Sequence, residues 1–106
     1  MNNDCVFCKI VAREIPAKIE YEDEYCVSFR DINPRAETHL LVIPKKHIAT
    51  LNDLEEGDEK ITGRMLGAAK TLAARFNMPS YRLLISVGKE AGQEVFHLHM
   101  HVMSPR

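Results

Sequence analysis

Apolar positions at 6, 7, 10 and 11, in Val6-Phe7-Cys8-Lys9-Ile10-Val11, recur at helical spacing and predict a short first helix. Asp4 stands where an N-cap carboxylate is wanted, and Ile15-Pro16 marks the helix end, because the residue before a proline is pushed toward extended geometry. Two runs with β character follow, Ile19 to Glu22 and Cys26 to Arg30, with Asp23-Glu24 as the turn between them. Asn33-Pro34 marks a loop over Asp31 to Arg35. His39-Leu40-Leu41-Val42-Ile43, closed by Pro44, reads as a central strand. From Gly57 to Phe76 the stripe Ile61, Met65, Ala69, Leu72 and Phe76 predicts one long helix. A strand from Tyr81 to Ser86, a loop carrying Gly88 and Gly92, and a last strand from Val95 to Met103 complete the chain. Helix, strands, long helix, strands is an α+β order, not a βαβ alternation.

Composition narrows this picture. The chain has 106 residues, 45% hydrophobic and 27% charged, so it is expected to form a single domain over 1–106 with a core of its own. A net charge of −1 argues against a dedicated nucleic-acid binder, which carries a basic stripe. No run of about eighteen apolar residues is present, so no membrane span is expected. Met1-Asn2-Asn3-Asp4-Cys5 shows no basic region followed by an apolar stretch, so no signal peptide is expected and the default compartment is a reducing cytoplasm. There, Cys5-Val6-Phe7-Cys8 reads as a metal half-site or a redox pair before a structural disulfide. The third cysteine, Cys26, lies in the apolar run Cys26-Val27-Ser28-Phe29 and reads as a small buried hydrophobe.

The five histidines are His39, His47, His97, His99 and His101. The last three alternate with Leu98, Met100 and Val102, which on a strand places three imidazoles on one face and three apolar side chains on the other. A solvated strand face has no need of three weak bases. A single metal held by all three is disfavoured by reach, since residues four apart on a strand are separated by about 13 Å at roughly 3.3 Å per residue. Nucleophilic catalysis on an anionic substrate is the competing use: a neutral imidazole attacks while its neighbours donate to oxygens and to the leaving group. The loop Ser86-Val87-Gly88-Lys89-Glu90-Ala91-Gly92-Gln93 supports it, because glycines let backbone N–H groups approach phosphate oxygens. No G-x-x-x-x-G-K-[ST] segment is present, which excludes a P-loop.

His97 to Met103 fits His-φ-His-φ-His-φ-φ, φ being hydrophobic, at every position, and the chain resembles the histidine triad (HIT) family in its Hint branch. Phe29-Arg30-Asp31-Ile32-Asn33-Pro34, Thr38 to Ile48 and Gly92-Gln93-Glu94-Val95-Phe96 extend the resemblance in the same order and spacing. It implies a HIT-like fold, a five-stranded, mainly antiparallel sheet with a short N-terminal helix and one long helix. It also implies a homodimer that cleaves purine nucleoside phosphoramidates or aminoacyl-adenylates to a nucleoside monophosphate. By this resemblance His99 attacks the α-phosphorus and carries a nucleotidyl intermediate, His101 contacts the phosphate, and His39 handles protons beside it. Asp31 takes the ribose hydroxyls, and Val6, Phe7, Ile10, Phe29 and Ile32 wall the purine. Ser86, Gly92, Gln93, Glu94 and Val95 line the phosphate and leaving-group side. The alternative from another class is a nucleotide-binding regulatory module with little turnover, which has no need of His99.

Several bacterial members hold a structural zinc through an N-terminal C-x-x-C and two histidines. The resemblance implies Cys5, Cys8, His47 and His97 as that set, with no organic cofactor and no catalytic metal. Two departures bear on the leaving group: Glu94 stands where the animal members carry serine, and Ser86 where they carry asparagine. Many members continue into a tail that reaches the partner's active site, whereas here the chain closes at Ser104-Pro105-Arg106. Gly63 and Gly67, with Ala74 on roughly the same face of the long helix, carry the dimer expectation. Each glycine costs about 1 kcal/mol against alanine there, and close approach of a symmetry mate, or of the protein's own sheet, would explain them.

Overall fold

The computed structural model describes residues 4–106. The absence of a leader was read partly from residues 1–3, which lie outside the described residues. Elements follow in the order α1 (Val6–Val11), β1 (Ile19–Glu22), β2 (Cys26–Arg30), β3 (His39–Pro44), α2 (Glu59–Arg75), β4 (Arg82–Leu84) and β5 (Met100–Met103), with short 3₁₀ turns at Leu51–Asp53 and Lys89–Ala91. The strands form one antiparallel sheet in the order β1-β2-β3-β5-β4.

The sheet is covered differently on its two faces. Cys26, Leu40, Val42, Leu98, Met100 and Val102 pack with Met65, Ala68, Ala69, Leu72 and Ala73 of α2. On the opposite face Val27, Phe29, Leu41 and Ile43 pack with Phe7, Cys8 and Ile10 of α1. A six-residue helix cannot persist by its own hydrogen bonds, so this contact is what holds α1. Because α1 is so short, it leaves part of its face to the histidines.

Four expectations need correction at their ends. The cap of α1 is Cys5, whose Sγ accepts from the Cys8 N–H at 3.3 Å, and not Asp4. The helix stops at Val11 because Arg13 turns left-handed, φ 62°, so that the Glu14 N–H reaches the Lys9 carbonyl at 2.8 Å; Ile15-Pro16 comes too late to be the stop. The last strand starts at Met100 and not at Val95. β3 pairs with β5 only from His39↔Met103 to Val42↔Met100, and the Leu98 N–H bonds the Ile48 carbonyl at 2.6 Å, so residues 95–99 join no ladder. β4 in turn is confined to Arg82–Leu84, shorter than the expected Tyr81 to Ser86, because β5 partners it only there. The in-and-out alternation nonetheless persists through 97–102, with Leu98, Met100 and Val102 facing α2. At the far end of α2, Asn77 at φ 55° terminates the helix, and the Met78 N–H closes on the Ala73 carbonyl at 2.8 Å.

Candidate active site

The face shared with α1 gathers all five histidines into two adjoining groups. β3 supplies His39 and β5 supplies His101, and the approach to β5 supplies His99 and His97. The rings of His39 and His101, and those of His99 and His101, have centroids 5.1 Å apart, while Phe7 meets His99 edge-on at 5.3 Å. His39, His99 and His101 are each 8% exposed or less.

Their hydrogen bonds settle which nitrogen does what. A neutral imidazole has one N–H donor and one acceptor nitrogen. The Arg35 backbone N–H donates to His39 Nδ1 at 3.0 Å, so the proton of a neutral His39 is on Nε2. That Nε2–H donates to His101 Nδ1 at 2.8 Å, which leaves His101 with its proton on Nε2. His99 Nδ1–H donates to the His97 carbonyl at 2.8 Å, so the lone pair of His99 is on Nε2. One acceptor nitrogen and one N–H donor therefore stand on neighbouring rings. Burial lowers the pKa of His39 and, helped by the nearby His99, His39 and Arg35, lowers that of His101 to about 4, which keeps both neutral at pH 7.

Asp31 closes this group from the end of β2. Its Oδ1 accepts the Asn33 N–H at 2.8 Å, and its Oδ2 lies 3.4 Å from His39 Nε2. Asp31, His39 and His101 offer donor atoms within 4.8 Å of one another, as a cation site would. Yet the 2.8 Å between the two imidazole nitrogens is hydrogen-bond distance, shorter than the roughly 3.3 Å edge between nitrogens of a tetrahedral zinc site. The group is therefore read as a hydrogen-bonded relay.

His97 belongs to a different cluster. Its Nδ1 lies 3.3 Å from Cys5 Sγ, 3.5 Å from Cys8 Sγ and 3.3 Å from His47 Nδ1, and Cys8 Sγ lies 3.1 Å from His47 Nδ1. A tetrahedral zinc, with bonds of about 2.3 Å to sulfur and 2.0–2.1 Å to nitrogen, has ligand-to-ligand edges of about 3.3 Å (N to N) and 3.6 Å (N to S). The nitrogen pair matches, and the sulfur–nitrogen distances are shorter by a few tenths of an ångström. His97 Nε2–H donates to the Pro44 carbonyl at 2.8 Å, which aims the Nδ1 lone pair into the cluster. Burial lowers the His97 pKa to about 4, favouring the neutral form a metal needs. The donor set fits zinc.

The remaining predicted residues are spread around this centre. Val6 is 40% exposed and Ile32 91% exposed, so both present open apolar surface, whereas Phe7, Ile10 and Phe29 are largely buried beneath. Gln93 is buried, and its amide organises the glycine loop: Oε1 accepts the Gly88 N–H at 2.9 Å, and Nε2 donates to the carbonyls of Ala49 and Val95 at 2.8 and 3.0 Å. Gly88 and Gly92 have φ of 91° and 98°, a region open to glycine at no cost, and flank the 3₁₀ turn. Ser86 and Val95 are half-buried, and Glu94 is exposed. Sequence reasoning missed Arg35, whose Nη2 lies 3.3 Å from His101 Nδ1. No periodicity marks a loop residue of this kind. It also missed the backbone carbonyls of Pro44 and His97, which carry no side-chain signal.

Comparison with known proteins identifies the family. The HIT domain family model matches residues 12–106, and the chain belongs to this family. An uncharacterized HIT-like protein of Synechocystis sp. is 45% identical, covering 100% of this chain and 94% of that one. The purine nucleoside phosphoramidase of Escherichia coli K12 is 41% identical, covering 100% of this chain and 91% of that one. Among solved structures, a HIT family hydrolase from Clostridium thermocellum superposes with a TM-score of 0.96 at 42% identity, over 100% of this chain and 94% of that one. The HIT family hydrolase from Legionella pneumophila gives 0.91 at 47% identity, over 96% and 93%.

Proposed function

We propose that the protein hydrolyses purine nucleoside phosphoramidates or aminoacyl-adenylates to a nucleoside monophosphate, by way of a nucleotidyl group carried on His99. Membership of the HIT family, with hydrolases and a phosphoramidase among its relatives, supports a nucleotide hydrolase. The single observation behind the assignment to His99 is the bond from its Nδ1–H to the His97 carbonyl, which in the neutral ring puts the lone pair on Nε2. In the first step that lone pair forms a bond to the α-phosphorus, and the bond from phosphorus to the amine or acyl oxygen breaks. His101 Nε2–H hydrogen-bonds to the phosphoryl oxygens or the departing atom and is oriented by His39 Nε2–H; a departing carboxylate leaves as its anion, and a departing amine takes its proton from water. In the second step water attacks phosphorus, the P–Nε2 bond breaks, and the monophosphate leaves with His99 neutral again. Asp31 accepts from the ribose hydroxyls, and the apolar surface at Val6 and Ile32 takes a face of the purine.

Cys5, Cys8, His47 and His97 hold a structural zinc in this proposal. When bound, it supplies fold stability and no chemistry at phosphorus. The protein works as a homodimer in the cytoplasm. Among the described residues no helix is long and apolar enough to cross a membrane. Intact-mass analysis after brief mixing with an adenosine phosphoramidate tests the core of the proposal. A nucleotidyl adduct is expected on the wild type and none on His99→Ala, whose turnover should fall by roughly 10⁴-fold or more. A His99→Ala protein that turns over at the wild-type rate overturns it.

A further inference from the structure

The phosphoryl group that this function requires brings negative charge into a site with little to answer it. His39 and His101 are held neutral, and the carboxyl group beside them, Asp31 at 3.4 Å from His39, offers nothing that attracts an anion. Among the described residues, Arg35 alone of the lysine and arginine side chains hydrogen-bonds to a histidine. Arg13, Arg30, Lys45 and Lys46 are each paired with a carboxylate, whereas no ion pair to Arg35 is found among the described residues.

The guanidinium is lightly held where it stands. Its one hydrogen bond among the described residues, 3.3 Å to His101 Nδ1, is to a lone pair that already accepts from His39 Nε2 at 2.8 Å. The residue is exposed, so the side chain is free to swing. Its backbone N–H is committed separately to His39 Nδ1, which anchors the stem beside the histidines whatever the side chain does. A planar fork with five donors, mobile at its tip and fixed at its base, suits a phosphoryl group better than it suits a shared imidazole nitrogen.

We propose that Arg35 is the phosphoryl-recognising cation of this site: on binding, its guanidinium leaves His101 Nδ1 and donates to non-bridging oxygens of the 5′-phosphoryl group. This rests on the nucleotide reading above and deepens it. Arg35 thereby selects ligands with a phosphoryl anion over the bare nucleoside, and the His39-to-His101 hydrogen bond stays in place as it moves.

Calorimetric titration of the full chain with AMP and with adenosine, for wild type, Arg35→Gln and Arg35→Lys, tests this. Arg35→Gln should weaken AMP binding by about 10- to 100-fold and leave adenosine binding within about twofold. Arg35→Lys should recover part of the loss, because it restores charge without the fork. Added salt should weaken AMP binding more in the wild type than in Arg35→Gln. The backbone bond to His39 is untouched in both variants, so their melting temperatures should match the wild type. If Arg35→Gln binds AMP as the wild type does, or loses AMP and adenosine alike, the role of Arg35 is overturned while the nucleotide reading stands. A wild type that binds no AMP overturns both.

Discussion

At the scale of single residues, what a side chain can do here is decided by the hydrogen bond it has already made. His97, His99 and His101 are the same residue type at spacing two, yet one nitrogen of each is committed to a different partner: the Pro44 carbonyl, the His97 carbonyl and the His39 ring. Asp31 is constrained in the same way, with one oxygen holding the Asn33 N–H. Asp31→Asn keeps an acceptor for that turn and removes the negative charge. It should weaken AMP binding by roughly 1.5–3 kcal/mol, the scale of hydrogen bonds to charged groups, and erode preference for ribose over 2′-deoxyribose, both read by titration calorimetry. Unchanged affinity would take Asp31 out of the pocket. The buried neutral histidines also set a pH dependence. An unfolded chain takes up a proton at His101 near 6.5, while the folded chain resists until about 4. Between these values the unfolded state binds more protons, so this contribution to stability is complete above pH 6.5 and is lost as pH falls toward 4. Denaturant melts at pH 7.5 and pH 5 should show wild type losing more stability on acidification than His101→Gln. Equal losses would mean that His101 is not held neutral by the fold.

At the scale of elements, the histidine-bearing segment shows what a sequence discloses and what it hides. Alternation of His97 to Val102 placed the two faces correctly, because side-chain direction follows the extended backbone whether or not a ladder forms. The strand is nonetheless five residues shorter than the alternation predicts, because pairing with β3 stops at Val42↔Met100 although β3 runs on to Pro44, and the Leu98 N–H goes to the Ile48 carbonyl instead, at 2.6 Å. The Gly57–Phe76 helix was read to within two residues, since its stripe packs on the sheet as its spacing implies. The cap of α1 was misread for a local reason: Cys5 occupies the position that Asp4 was expected to fill, and its sulfur also faces His97. That sulfur joins chain positions 92 residues apart. Zinc there would tie α1, the segment after β3 and the approach to β5 into one unit, adding to the apolar packing that holds a helix too short to persist alone. About one zinc per chain is therefore expected by elemental analysis, and Cys5→Ser or His47→Ala should lower both metal content and melting temperature. Activity of the molecules that remain folded should survive chelation better than stability does. Metal-free protein with an unchanged melting point would refute the assignment.

At the scale of the whole molecule, the two faces of the sheet have different unfinished edges. One carries the histidines, and the other is covered by α2, whose outer surface holds Gly63, Leu66 and Gly67 in the open, with Leu66 55% exposed. A Cβ added at Gly63 or Gly67 meets nothing within 4 Å, so close packing on the protein's own sheet does not explain these glycines. At one edge of the same sheet lies β4, with all three residues exposed. Leu83 sits opposite Val102, and cross-strand partners share a face, so Leu83 lies on the α2 side of that edge at 40% exposure. Exposed leucines on a helix and on an edge strand of the same sheet face are surfaces that proteins usually cover. A two-fold axis here would set the same patch against itself, so one substitution acts twice. In the isolated chain Gly67→Leu has free space and should stabilise the helix by up to about 1 kcal/mol. In the dimer it places two bulky side chains in the interface. The variant should therefore dissociate at concentrations where the wild type is dimeric, while keeping a helical circular dichroism spectrum. Light scattering against concentration reads the outcome, and a monomeric wild type at micromolar concentration, or a Gly67→Leu protein that stays fully dimeric, would place the interface elsewhere.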